Sequence, residues 1–128
     1  MPGFVPLDPL ARARMREVMF YLSSTMHVNH AHKLRGKRWA SEESSIEDMK
    51  SRVPETMAAS CDYIEGLMVG PYLFGSELTL ADFHLFAICT WLEGDGVDVE
   101  RFPKLSAFIQ AMEATSGVRQ ARAAGLVG

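Results

Sequence analysis

An all-α fold, a helical bundle of about five helices, is what this sequence predicts, and three observations predict it. Apolar residues recur at helical spacing along most of the chain. No stretch alternates apolar and polar residues for long enough to make a strand. The segments that break the helical pattern are short and hold Gly, Pro and Ser, which suits antiparallel neighbours.

Residues 1–7, with Pro2, Gly3 and Pro6, read as an extended linker, and the helical domain is expected over 8–128. Asp8 followed by Pro9 is a helix start, with Asp as N-cap and Pro at the first helical position. The first helix carries Met15, Val18, Met19, Leu22 and Met26 as one stripe and is expected to run to about Leu34, with Gly36 as its stop. Ser44 and Glu47 have the spacing of a capping box for a second helix. Its stripe is Ile46, Met49, Val53, Met57, Cys61, Ile64 and Met68. Pro54 falls inside that stripe and must kink or divide the helix, and Gly70-Pro71 ends it. A third helix begins near Thr79 and is apolar around most of its circumference to Leu92, as a buried central helix would be. Gly94-Asp95-Gly96 closes it. Phe102-Pro103 opens a fourth helix with Leu105, Phe108, Ile109 and Met112 on one face, and a short fifth helix covers about Val118 to Ala124.

Composition narrows the function. The 128 residues fit one domain, long enough to bury a core without disulfides. A net charge of −3 gives no electrostatic reason for a nucleic-acid partner. The basic run Lys33, Arg35, Lys37 and Arg38 has only Trp39 interleaved and is followed at once by Glu42 and Glu43, so it reads as a solvated helix end. No apolar run reaches membrane-spanning length, and the N-terminus has no signal-peptide pattern. Cys61 and Cys89 stand in apolar helical patterns outside any metal-ligand spacing. They are expected to be buried, reduced thiols of a soluble cytoplasmic protein. Eight methionines suit irregular gaps in a core.

Asp82 is the charge in unusual company, because Phe83-His84-Leu85-Phe86-Ala87-Ile88-Cys89 follows it. Charges enter such runs only with partners. Thr79-Leu80-Ala81-Asp82 has the spacing of a capping box, in which Thr79 is the N-cap and the Asp82 carboxylate returns to the Thr79 N–H. Leu78 before the cap and Phe83 at the fourth position complete a hydrophobic staple, and the charge lies at the positive end of the helix dipole. Asp82 is therefore read as a structural residue.

The same residues carry a resemblance. YLFGSELTLADFHLF resembles the N-capping box and staple of the glutathione transferase C-terminal domain, whose usual form is Y-L-x-G-x-x-[ST]-x-A-D. DPLARARMREVMFYLSSTMH is similar to the first helix of that domain in beta-class and related bacterial transferases, and WLEGDGVDVERFPKLSAFIQAMEATSGVRQA resembles its last third. The family's other domain is thioredoxin-like, precedes this one, and holds most of the glutathione site and the catalytic Ser, Tyr or Cys. By this resemblance the chain begins at the interdomain linker. It contains no catalytic residue and no resident cofactor, glutathione being a co-substrate of the intact protein.

The resemblance also points to site residues. His27 matches the His of an S-x-L-H segment, here Ser24-Thr25-Met26-His27, that lines the cleft facing the thioredoxin-like domain. A His there can donate a hydrogen bond to a thiolate or an electrophile. The Asn and Glu that accompany it in that class are Phe20 and Thr25 here. Tyr21, His84 and Trp91 stand at positions that line the hydrophobic substrate pocket in the family. On the residues alone, Trp91 and His84 also suit core packing. His27, His30 and His32 lack the spacing of a metal site and suit the end of a helix, where cations are favoured.

Two functions follow. As the helical domain of a glutathione transferase, the chain supplies the pocket for an apolar electrophile while the other domain activates glutathione, and alone it is expected to be inactive. Its expected partners are that domain and a second copy, bound through the first two helices. The alternative is a scaffold module of the same fold with no chemistry.

Overall fold

The computed structural model describes residues 3–127, so Pro2 of the expected linker, together with Met1 and Gly128, lies outside the described residues. The first helix is a continuous rod in three pieces: α1 (Pro9–Tyr21), a π-helical segment (Leu22–Met26) and α2 (His27–Ala31). Asp8 caps it as its sequence indicates, its carboxylate accepting from the Ala11 N–H at 2.9 Å. The π segment has a visible consequence. Val18, Leu22, Met26 and His30 are spaced four apart, and in an α-helix each such step drifts about 40° round the axis. The wider winding of the π turn removes much of that drift. Val18, Leu22 and Met26 are accordingly all buried, and His30 follows them on the inward side.

The next helix differs from expectation at its start. α3 (Glu43–Ser51) has Glu42 as its N-cap, in extended conformation and without a side-chain capping bond, so the Ser44–Glu47 box does not form. Ser44 is already inside the helix, and a residue with helical backbone cannot cap. Ile46 sets this register: its N–H bonds the Glu42 carbonyl at 3.0 Å and its side chain packs on Gly36, where a Cβ would lie 3.0 Å from it. Pro54 divides rather than kinks. Arg52 ends α3, and α4 (Val53–Leu67) begins at the next residue with Pro54 in its first turn.

α5 (Leu80–Cys89) is the central helix and packs against α1, the π segment and α6 (Pro103–Glu113). It ends earlier than Leu92, and the chain continues in turns to Gly96. α6 is capped from a distance: the Glu65 carboxylate on α4 accepts from the backbone N–H groups of Lys104 at 2.8 Å and Leu105 at 2.7 Å. α7 (Ser116–Ala123), capped by Thr115, starts two residues before the expected Val118. Its neighbour is α6. The core joins Met15, Leu22 and Met26 to Met57, Cys61 and Ile64, to Leu85, Ile88 and Leu92, and to Leu105, Phe108 and Met112. The methionines largely fill this core, and both cysteines are buried in it as free thiols. Among the described residues there is no strand, only an isolated bridge between Tyr72 and Gly75.

The capping box of α5 forms. Asp82 is 0% exposed. Its Oδ2 accepts from the Thr79 N–H at 2.8 Å and from the Thr79 hydroxyl at 3.2 Å, while Oδ1 accepts from the Leu73 N–H at 2.9 Å. The carboxylate thus closes the helix start and ties down the turn before it. Leu78 and Phe83 both pack against the core.

Candidate functional site

An open apolar groove of about 790 Å³ runs between the N-terminal segment, α5 and α7. Phe4, Phe83, Ala87 and Trp91 form one side, and Val118 and Ala121 of α7 form another. No ionisable side chain among the described residues lines it. The N-terminal segment is held at its edge: the Leu80 N–H bonds the Phe4 carbonyl at 3.0 Å, and the Phe4 and Phe83 rings meet edge to face at 5.2 Å. Such a groove accepts an apolar molecule and, by itself, performs no proton chemistry.

Of the substrate-pocket candidates read from the sequence, only Trp91 lines this groove, together with the staple residues Leu78 and Phe83. His27 is exposed and sits against Trp91, ring centroids 5.0 Å apart. His84 is half-buried on α5. Its imidazole is pushed below its ordinary value by burial first and by the charge of His27 second. Tyr21 turns elsewhere. Its hydroxyl donates to Ser60 Oγ on α4 at 3.1 Å and its ring meets Tyr63 edge to face at 4.2 Å. Asn29 donates to the same Ser60 oxygen at 3.0 Å, which makes Tyr21 part of a polar knot between the first rod and α4. Ser24 is exposed on the π segment beside Thr25.

Three residues that the sequence assigns to helix ends, His30, Lys33 and Asp95, complete the surroundings of Trp91. His30 stacks on the indole, centroids 4.2 Å apart and planes inclined by 16°. Its Nδ1–H donates to Asp95 Oδ2 at 2.6 Å, since a carboxylate can only accept. Asp95 is 3% exposed, and Lys33 Nζ stands 3.9 Å from its other oxygen while donating to the Gly94 carbonyl. That other oxygen, Oδ1, has no hydrogen bond. The available signal was the lone Asp between two glycines just past an apolar helix, which reads equally well as a helix stop. Among the described residues no group of three or more His, Cys, Asp or Glu side chains is placed to hold a metal ion.

Fold and groove together define the class: an all-helical domain whose central helix forms the floor of an apolar groove. The family description "Glutathione S-transferase, C-terminal domain" matches residues 31–123, and this chain belongs to that family. Among solved structures, a glutathione transferase homologue from Sulfitobacter with bound glutathione is 52% identical, with a TM-score of 0.95 over 97% of this chain and 60% of that one. The bacterial transferase BphK, solved as a ternary complex, is 24% identical with a TM-score of 0.79 over 97% of this chain and 60% of that one. A beta-class transferase from Sphingomonas chungbukensis is 23% identical with a TM-score of 0.77, over 98% and 60%. The last two likenesses show the fold alone. This chain spans about three-fifths of the length of each of these structures. No curated protein matches it. Among the described residues, no helix is long and apolar enough to cross a membrane.

Proposed function

We propose that this chain is the electrophile-binding half of a glutathione transferase. A thioredoxin-like domain binds and activates glutathione, and the groove over α5 holds the apolar partner that the thiol attacks. The observation that carries this reading is the uncharged, aromatic-walled groove with Trp91 in its wall. The glutathione bound in the Sulfitobacter homologue supports it. The division of labour follows from the chemistry: lowering a thiol pKa needs a cation or free hydrogen-bond donors near sulfur, whereas the groove has no charged side chain among the described residues and its Thr90 and Thr115 hydroxyls donate to the Ala87 and Met112 carbonyls. Domain boundaries at 1–7 and 8–128, a cytoplasmic location and a role in detoxification belong to the same proposal.

Pairing of two copies through the first rod is part of it as well. Leu10 and Phe20 on α1 are 62% and 71% exposed, which leaves apolar surface for a partner. A monodisperse monomer at high concentration in light scattering counts against that pairing.

The decisive assay uses the 128-residue chain alone and mixed with the thioredoxin-like domain of the Sulfitobacter homologue. An aryl halide should be conjugated only in the mixture. Conjugation by the chain alone, or none in a mixture that forms a complex, overturns the proposal.

A further inference from the structure

Phe4 reaches the groove from outside the helices, and two separate bonds hold the segment that brings it there. The Phe4 carbonyl accepts from the Leu80 N–H at 3.0 Å, one of the donors that the start of α5 leaves without a partner inside the helix. Two residues on, the Pro6 carbonyl accepts from Arg12 Nε at 3.1 Å, so α1 holds the segment from its other end. Along it, Phe4 and Pro6 are half-buried, whereas Gly3, Val5 and Leu7 are exposed. Any residue at position 4 supplies a carbonyl to Leu80, so that bond does not account for the phenyl ring. The ring turns to Phe83, which packs against the core, and the two planes are inclined by 72°. Two rings at that angle make a corner. A flat ligand ring that stacks on one of them meets the other edge to face, and both arrangements are favoured between aromatic rings. A puckered, saturated ring of the same size gains only the burial of its apolar surface.

We propose that Phe4 is a specificity-determining residue of the groove: the corner it makes with Phe83 favours flat aromatic ligands over saturated rings of the same size. The inference rests on the reading of the groove as the electrophile site, and it names the chemical class that site prefers and a residue that sets the preference. Phe83 is fixed by α5 and the core, whereas Phe4 is fixed through backbone bonds of the segment before α1. The selectivity of the groove thus depends on how residues 3–7 lie across the start of α5, and not on the helices alone.

The test titrates two probes of one carbon skeleton, 1-naphthol and its saturated analogue decahydro-1-naphthol, into the 128-residue chain by isothermal calorimetry. Both are uncharged at neutral pH, so charge plays no part in the comparison. Phe4→Leu keeps an apolar side chain and the backbone bond to Leu80. It should weaken 1-naphthol about threefold more than the saturated analogue, the usual worth of one aromatic pair beyond its buried area. In the unsubstituted chain, bound 1-naphthol should show nuclear Overhauser effects to the Phe4 and Phe83 ring protons, a readout that does not depend on any variant folding. An equal loss for both probes, or no loss for either, overturns the role given to Phe4 and leaves the electrophile site standing. Bound 1-naphthol that contacts Phe83 and not Phe4 does the same. No binding of either probe to the unsubstituted chain overturns both readings.

Discussion

Replacing Asp82 with Ala should destabilise this protein far more than the loss of an ordinary helix cap. An exposed cap residue is worth about 1 kcal/mol. Asp82 is completely buried, and its removal strands two backbone donors, the N–H groups of Leu73 and Thr79, where water does not reach them. Each buried donor left unpaired costs about 1–3 kcal/mol. One term acts the other way. Burial, opposed by the Leu73 N–H and then by the N–H and hydroxyl of Thr79, raises the Asp82 carboxyl above its ordinary value, so deleting the charge relieves a desolvation cost. The net loss should be roughly 2–4 kcal/mol, or roughly 10 °C in Tm for a domain of this size.

Urea unfolding followed by circular dichroism measures this, and hydrogen exchange at the Leu73 and Thr79 amides locates it. Asp82→Asn retains one acceptor but turns an amide N–H toward a donor, and should fall between Ala and the parent. The loss also depends on pH. Because the folded-state value is the raised one, the folded protein binds more protons than the unfolded chain between the ordinary and raised values. Ionisation of Asp82 therefore costs stability above that window, and the cost fades as pH falls through it. The gap between the parent and Asp82→Ala should widen on acidification. A midpoint shifted by no more than an exposed cap, with the Leu73 amide still protected, refutes this account of the carboxylate.

The other expectations rest on separate features. Burial, then the charge of Glu65, pushes the Cys61 thiol up to about 12, and burial raises Cys89 as well, so Ellman's reagent should find no reactive thiol in the folded protein. Both cysteines should react in guanidinium, and prompt colour from the folded chain contradicts the burial. Glu65→Ala removes the acceptor of two N–H groups at the start of α6 and should cost about 1–2 kcal/mol, read as a lower urea midpoint. An unchanged midpoint means the distant cap contributes nothing. The His84 value is lowered, so the stability tied to its neutral form is complete above the ordinary imidazole range and is lost as pH falls through the lowered value. His84→Gln should flatten the stability slope between about pH 7 and pH 5, and identical slopes in the two proteins refute the assignment.

What the sequence made legible follows the range of each interaction. The Asp82 box spans four consecutive positions, so pattern alone reveals it, yet the Leu73 N–H that shares the carboxylate lies outside the motif. Ser44 and Glu47 fit the same pattern and form no box, because Ile46 packing on Gly36 starts the helix sooner. The cap that Glu65 places on α6 joins residues about forty apart, and no local spacing announces it. Pro54 marks a break, but whether the rod bends or divides depends on the turn at Arg52. The π segment leaves no residue signature, and without it His30 would be expected about 120° round the helix from Val18. That is why the sequence presents three helix-end histidines rather than one histidine aimed at Trp91.

Two buried aspartates bracket the central helix, and they differ in hydrogen bonding. Asp82, in the first turn of α5, has both oxygens occupied by donors from its own neighbourhood and presents nothing to a ligand. Asp95, in the turn beyond the other end, holds His30 with one oxygen and leaves the second without a bond. Between them, Phe83 and Ala87 on the helix and Trp91 in the turn after it line the groove. A satisfied carboxylate at one end fixes where these side chains stand, because fraying of the first turn would move Phe83. The one at the other end holds the His30 ring flat against Trp91. Loss of Asp82 should therefore weaken every ligand of the groove by unsettling the fold. A planar aromatic ligand titrated against indole fluorescence should bind Asp82→Asn more weakly than the parent, and equal affinity in the two proteins refutes this link between cap and groove.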